Sequence, residues 1–111
     1  MNLLFFNRYP VVDHFVSEII AFKCERIKII RTIPDLHKET HSGQYQTLLM
    51  NVDDRLDETA YIKELVLIHK KKMRIIIFGQ YASQAPKLVK AGVNIFLGDD
   101  SQERDFLTAL A

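Results

Sequence analysis

The feature that most restricts this chain is a regular alternation. Short apolar runs are each followed by a segment whose apolar residues recur at helical spacing. Leu3 to Phe6 is a short run that reads as a strand, and Pro10 then stands where a proline suits a first helical turn. From Val11 to Phe22 the apolar residues Val11, Val12, Phe15, Val16, Ile19 and Ile20 share a helix face. Arg26 to Arg31 carries Ile27, Ile29 and Ile30 and predicts a second strand. Thr32 and Pro34 read as the cap and first turn of a short helix toward Thr40, broken by Ser42-Gly43. Thr47 to Val52 is a third strand, and Asp57 to His69 a helix with Ile62, Leu65, Val66 and Ile68 toward its buried side. Met73 to Phe78 is almost wholly apolar, as in a strand covered on both faces. A helix capped by Ser83, with Pro86 in its first turn, runs to a C′ glycine at Gly92. Val93 to Leu97 is a fifth strand, and Asp100 or Ser101 caps a last helix through Leu110.

Five strands alternating with five helices predict an α/β fold, a parallel sheet with helices on both faces. At 111 residues and 48% hydrophobic content the chain is expected to be a single domain, 1–111, with its own core. A formal net charge of +1 gives no electrostatic reason to expect a nucleic-acid surface. The lone Cys24 excludes an internal disulfide and suits a reducing compartment, and it is expected to be a structural thiol. No apolar run approaches the ~20 residues of a membrane span, so the expected location is the cytoplasm, with no membrane partner.

Enzymatic chemistry is not expected. Ser17 and Ser83 lack a triad context, and no phosphate-cradling glycine loop is present. His37 and His41 stand at i, i+4 and share a helix face, but no third ligand is evident, so the four histidines are expected to be exposed and no metal or cofactor is assigned. His69 opens the basic run His69-Lys70-Lys71-Lys72, an ordinary arrangement at a helix C-terminus.

Three segments resemble the receiver domain of bacterial response regulators. Asn7-Arg8-Tyr9-Pro10-Val11-Val12 is similar to the Asp-Asp-His-Pro-hydrophobic segment of the LuxR/NarL-type branch. Thr47-Leu48-Leu49-Met50-Asn51-Val52 resembles the strand ending at the phosphoacceptor aspartate. Arg74 to Gly79 and Ala91 to Gly98 resemble the last two strands and the Ala-Gly turn between them. The resemblance implies a flavodoxin-like (βα)5 three-layer sandwich with strand order 2-1-3-4-5 and a site at the C-terminal strand ends.

It also implies a degenerate site. Asn51 stands at the nucleophile position, and a carboxamide is not the anionic oxygen that attacks phosphorus. Asn7 and Arg8 replace the acids that hold Mg²⁺, Gly79 the switch hydroxyl and Gly98 the lysine. Sliding the third strand by two residues would instead place Asp53 at the phosphoacceptor position, since strand facing has period two. In either register Arg8 could pair with Asp53 or Asp54 in place of a metal, with Asp99 a further partner, or these are solvated loop charges worth under ~1 kcal/mol. By the same resemblance Tyr81, Lys87, Lys90, Phe96 and Phe106 are candidates for an interaction face; the core is the competing place for both phenylalanines, and for Phe106 an equal one.

The expected function is a pseudo-receiver: a phosphorylation-independent regulatory or dimerisation domain, the N-terminal part of a bacterial transcriptional regulator. Its partner would be a second copy or another protein, and DNA would be met only through an output domain outside this chain. The alternatives are a small-molecule sensor, for example of a nucleotide received by Arg8 and helix N-termini, and a stand-alone adaptor.

Overall fold

The computed structural model describes residues 1–53, 59–80, 92, 95–97 and 102–110. Its strands are β1 (Asn2–Phe6), β2 (Arg26–Ile30), β3 (Thr47–Asp53), β4 (Arg74–Gln80) and β5 (Ile95–Leu97). Its helices are α1 (Pro10–Ile20), α2 (Ile33–Thr40), α3 (Thr59–His69) and α4 (Glu103–Leu110). The predicted Ser83–Gly92 helix and the caps Asp100 and Ser101 lie outside the described residues, apart from Gly92 itself.

Strands β2, β1, β3 and β4 run parallel in that order, as the resemblance implied. Ile95–Leu97 pairs in parallel with β4 at Ile76, Ile77 and Phe78. The strands form where the sequence supplies β-branched and aromatic residues that suit a pleated, covered surface. Because side chains alternate across a strand, β1 serves two cores. Leu4 and Phe6 pack with Leu48, Met50, Ile75 and Ile77 beneath α2 and α3, where Leu36, Ile62, Leu65 and Val66 are buried. Leu3 and Phe5 pack on the opposite face with Leu49, Ile76 and Phe78 beneath α1 and α4. Each large side chain so buried stabilises the fold by about 1.5–3 kcal/mol relative to its exposed form.

Several expectations shift in detail. The first helix ends at Ile20, and a 3-10 turn, Ala21–Lys23, completes the segment before β2. The second strand ends at Ile30, which frees Arg31 to leave the ladder. Thr32 caps α2 as expected, its hydroxyl accepting from the Asp35 N–H at 3.3 Å. Lys28 on β2 reaches Glu39 on α2 at 2.9 Å and ties the edge strand to its covering helix. Cys24 is partly buried against the α1 core, and burial pushes its thiol pKa up, as for a structural thiol.

Two expectations are corrected and one open alternative is decided. Ile68, expected toward the buried side of α3, is 55% exposed. His69 is not exposed: it is 7% accessible, because the last turn of α3 folds it inward beside α2. Phe106 is a core residue, 3% exposed, with its ring edge-on to Phe78 at 5.1 Å. The inward face of α4 leaves it nothing to offer a partner. Among the described residues no helix is long and apolar enough to cross a membrane.

Candidate functional site

The C-terminal end of β1 lies beside β3, with Phe6 in register with Met50, three residues before β3 ends at Asp53. The residues that follow Phe6 and Met50 are Asn7 and Asn51. Asn51 Nδ2 donates to Asn7 Oδ1 at 3.0 Å. Asn7 is fully buried and uses its whole hydrogen-bonding capacity. Its Oδ1 also accepts from the Tyr9 N–H at 3.1 Å, closing a turn that leads into α1. Its Nδ2 donates to the Tyr9 carbonyl at 2.9 Å and to Asp13 Oδ1 at 2.5 Å. A carboxamide has two donors and two acceptor lone pairs, and all four are engaged here. No lone pair of Asn7 Oδ1 remains to bind a cation.

Asp13 lies in the first turn of α1, where the helix dipole favours an anion. Arg31, just beyond β2, forms a bidentate ion pair with it: Nη1 donates to Oδ1 at 3.2 Å and Nη2 to Oδ2. Nη1 also donates to the Asn7 backbone carbonyl at 3.2 Å. The guanidinium thus braces three chain segments at one end of the sheet. Hydrogen bonds from Arg31 dominate over desolvation, and with the Asn7 hydrogen bond and the Arg31 charge they hold the Asp13 carboxyl below its ordinary pKa. The same contacts raise the pKa of Arg31. The sequence reading missed both residues. Asp13 sits three positions after a helix-starting proline and Arg31 at a strand end, but only the β2–β1 adjacency brings them together.

The other expected positions are distributed as follows. The Arg8 guanidinium lies over the Phe6 ring, 4.9 Å from its centroid. Gly79 is in register with Val52 near the end of β4 and has φ of 118°, a conformation that disfavours any side chain. Asp53 is the last residue of β3, opposite Gln80. The side chains of Asp53 and Phe96, and residues Asp54, Tyr81, Lys87, Lys90, Gly98 and Asp99, lie outside what is described. The expected pairing of Arg8 with Asp53 or Asp54 falls there too, as does the expected interaction face apart from Phe106.

A parallel strand order β2-β1-β3-β4 with polar residues toward the C-terminal ends of its central strands can be compared with solved structures. A response regulator from Burkholderia pseudomallei, determined with a phosphorylated aspartic acid, superposes with a TM-score of 0.80. It shares 15% identity, and the match covers 99% of this chain and 66% of that one. The chain has a receiver-domain fold. An orphan response regulator of H. pylori matches this receiver fold over 100% of the present chain and 97% of its own, with TM-score 0.78 and 8% identity. RcsB from Salmonella enterica, bound to a promoter in the presence of a phosphomimetic, matches over 99% of this chain and 66% of that one, with TM-score 0.75 and 14% identity. At these identities the likeness is one of fold. No family model and no curated protein matches the sequence.

Proposed function

We propose that this receiver-fold domain is a pseudo-receiver, a regulatory module that works without phosphorylation and without catalysis. In this reading the β5 edge completes a (βα)5 sandwich, and the domain acts by binding a second copy or another protein. It forms the N-terminal part of a bacterial transcriptional regulator of the LuxR/NarL type. DNA is contacted by an output domain outside this chain.

The observation that carries the reading is the hydrogen bond between Asn51 and Asn7. Phosphoryl transfer to a receiver needs a carboxylate nucleophile and a metal held by neighbouring acids. Here the adjoining strand ends present two neutral carboxamides bonded to each other, and the one beside the metal position has spent its oxygen lone pairs. The Phe6–Met50 register brings Asn51 level with Asn7, which supports Asn51, rather than Asp53, as the residue at the phosphoacceptor position. Gly79 adds a backbone conformation that a serine or threonine would adopt only under strain. The Arg31–Asp13 pair supplies structurally what a bound cation and its acids would otherwise supply, a fixed link between β1, β2 and α1. The orphan and promoter-bound regulators among the structural neighbours support a place in gene regulation.

The test is an amide NMR spectrum of the labelled chain with and without Mg²⁺ and beryllofluoride. The expected result is no shift at Asn7, Asn51 or Gly79. Shifts that disappear in an Asp53→Asn variant would place a working phosphoacceptor at Asp53 and end the proposal.

A further inference from the structure

Two neighbouring histidines at the end of α2 meet a third, distant in sequence, at the end of α3. His37 and His41, at the end of α2, lie with ring centroids 4.3 Å apart. His41 meets His69, the last residue of α3, edge-on at 4.8 Å. Together with Glu64 they line a cavity of about 140 Å³. His69 is 7% exposed, and its Nε2 is buried with no hydrogen-bond partner. A buried ring nitrogen without a partner is costly, and such a group calls for an explanation.

Two imidazoles bound to one tetrahedral ion through bonds of about 2.0–2.1 Å have ring centres roughly 5 Å apart. The observed spacings are close to that. His41 Nδ1 lies 2.8 Å from the His37 carbonyl, the outer hydrogen bond by which metal-ligating histidines are usually oriented, and this leaves its Nε2 as the ligating atom. The nitrogens do not yet converge, since among the described residues no three His, Cys, Asp or Glu side chains surround one ion position. His37 and His41 are exposed, so their rings can turn about χ1 and χ2 without disturbing the core. Burial first, and then His41, Lys72 and His37, push the pKa of His69 below its ordinary value.

We propose that His37, His41 and His69, with Glu64 as an oxygen donor at the rim, form a site for a divalent transition metal of the imidazole-favouring class, Zn²⁺, Ni²⁺ or Cu²⁺. The ion pins the C-terminus of α2 to that of α3. The site is distinct from the Asn7–Asn51 end of the sheet and does not depend on the pseudo-receiver reading.

The experiment is calorimetric titration of the untagged, chelator-stripped chain with Zn²⁺, together with the visible spectrum on adding Co²⁺. The expected result is about one ion per chain and a tetrahedral Co²⁺ band. His41→Gln and His69→Gln should each weaken binding at least about tenfold. His14→Gln, which alters an exposed histidine beside Glu18 on α1, should leave it unchanged. His41→Gln alters an exposed residue and keeps the test decisive if the buried His69 variant fails to fold. Absence of Zn²⁺ heat and of a Co²⁺ band, or full-strength binding by His41→Gln, overturns the proposal.

Discussion

The Asn51 carboxamide donates to the Asn7 carboxamide across the ends of β3 and β1 at 3.0 Å. Both Asn7 donors are in turn aimed at oxygens, the Tyr9 carbonyl and the Asp13 carboxylate. Restoring an acid at this position therefore does not restore a metal site. Asn7→Asp would turn a donor into a carboxylate oxygen facing Asp13 inside a buried network. The expected cost is about 3 kcal/mol, the penalty for an unsatisfied and partly charged buried group. Urea unfolding of the variant, compared with the parent, measures it.

The Asp13–Arg31 pair makes stability depend on acid. The folded-state pKa of Asp13 lies below the unfolded value, so between the two the unfolded chain binds more protons. The stabilisation is present above the ordinary carboxylate range of about 4 and is lost as pH falls through the folded-state pKa. Unfolding midpoints measured from pH 6 down toward about 3 should fall more steeply in the parent than in Asp13→Asn. Equal slopes would show that the pair contributes nothing to folding.

Gly79 tests the end of β4 in the same way. At φ 118° a threonine is strained, at a cost of about 1–3 kcal/mol. Gly79→Thr is expected to lower the melting temperature without producing any spectral response to Mg²⁺ and beryllofluoride. A stable variant that responds would mean the backbone relaxes to an ordinary strand conformation there.

Phe106 separates core from interface. Its ring packs against Phe78 and is 3% exposed, so Phe106→Ala should destabilise the chain by about 3–5 kcal/mol. Sedimentation equilibrium of the folded variant should show the parent's association state. A weakened dimer with unchanged stability would reassign the residue to a contact surface.

Much of the architecture was legible in the residues alone because it rests on local periodicity. The Leu3 to Phe6, Thr47 to Val52 and Arg74 to Phe78 runs announce covered parallel strands, since their apolar residues show no polar alternation. Pro10 and Thr32 mark helix starts by chemistry confined to one turn. The absence of acids at Asn7 and Asn51 could be read directly once the resemblance supplied an alignment. What only the tertiary structure decided is which of these residues meet. Arg31 finds Asp13 because β2 lies beside β1, and His69 finds His41 because the ends of α2 and α3 converge over one face. Phe106 turns inward because α4 packs on the opposite face of the sheet. Side-chain pairings between elements depend on strand order and on helix rotation, and a period in the sequence records the face of an element but not its neighbour.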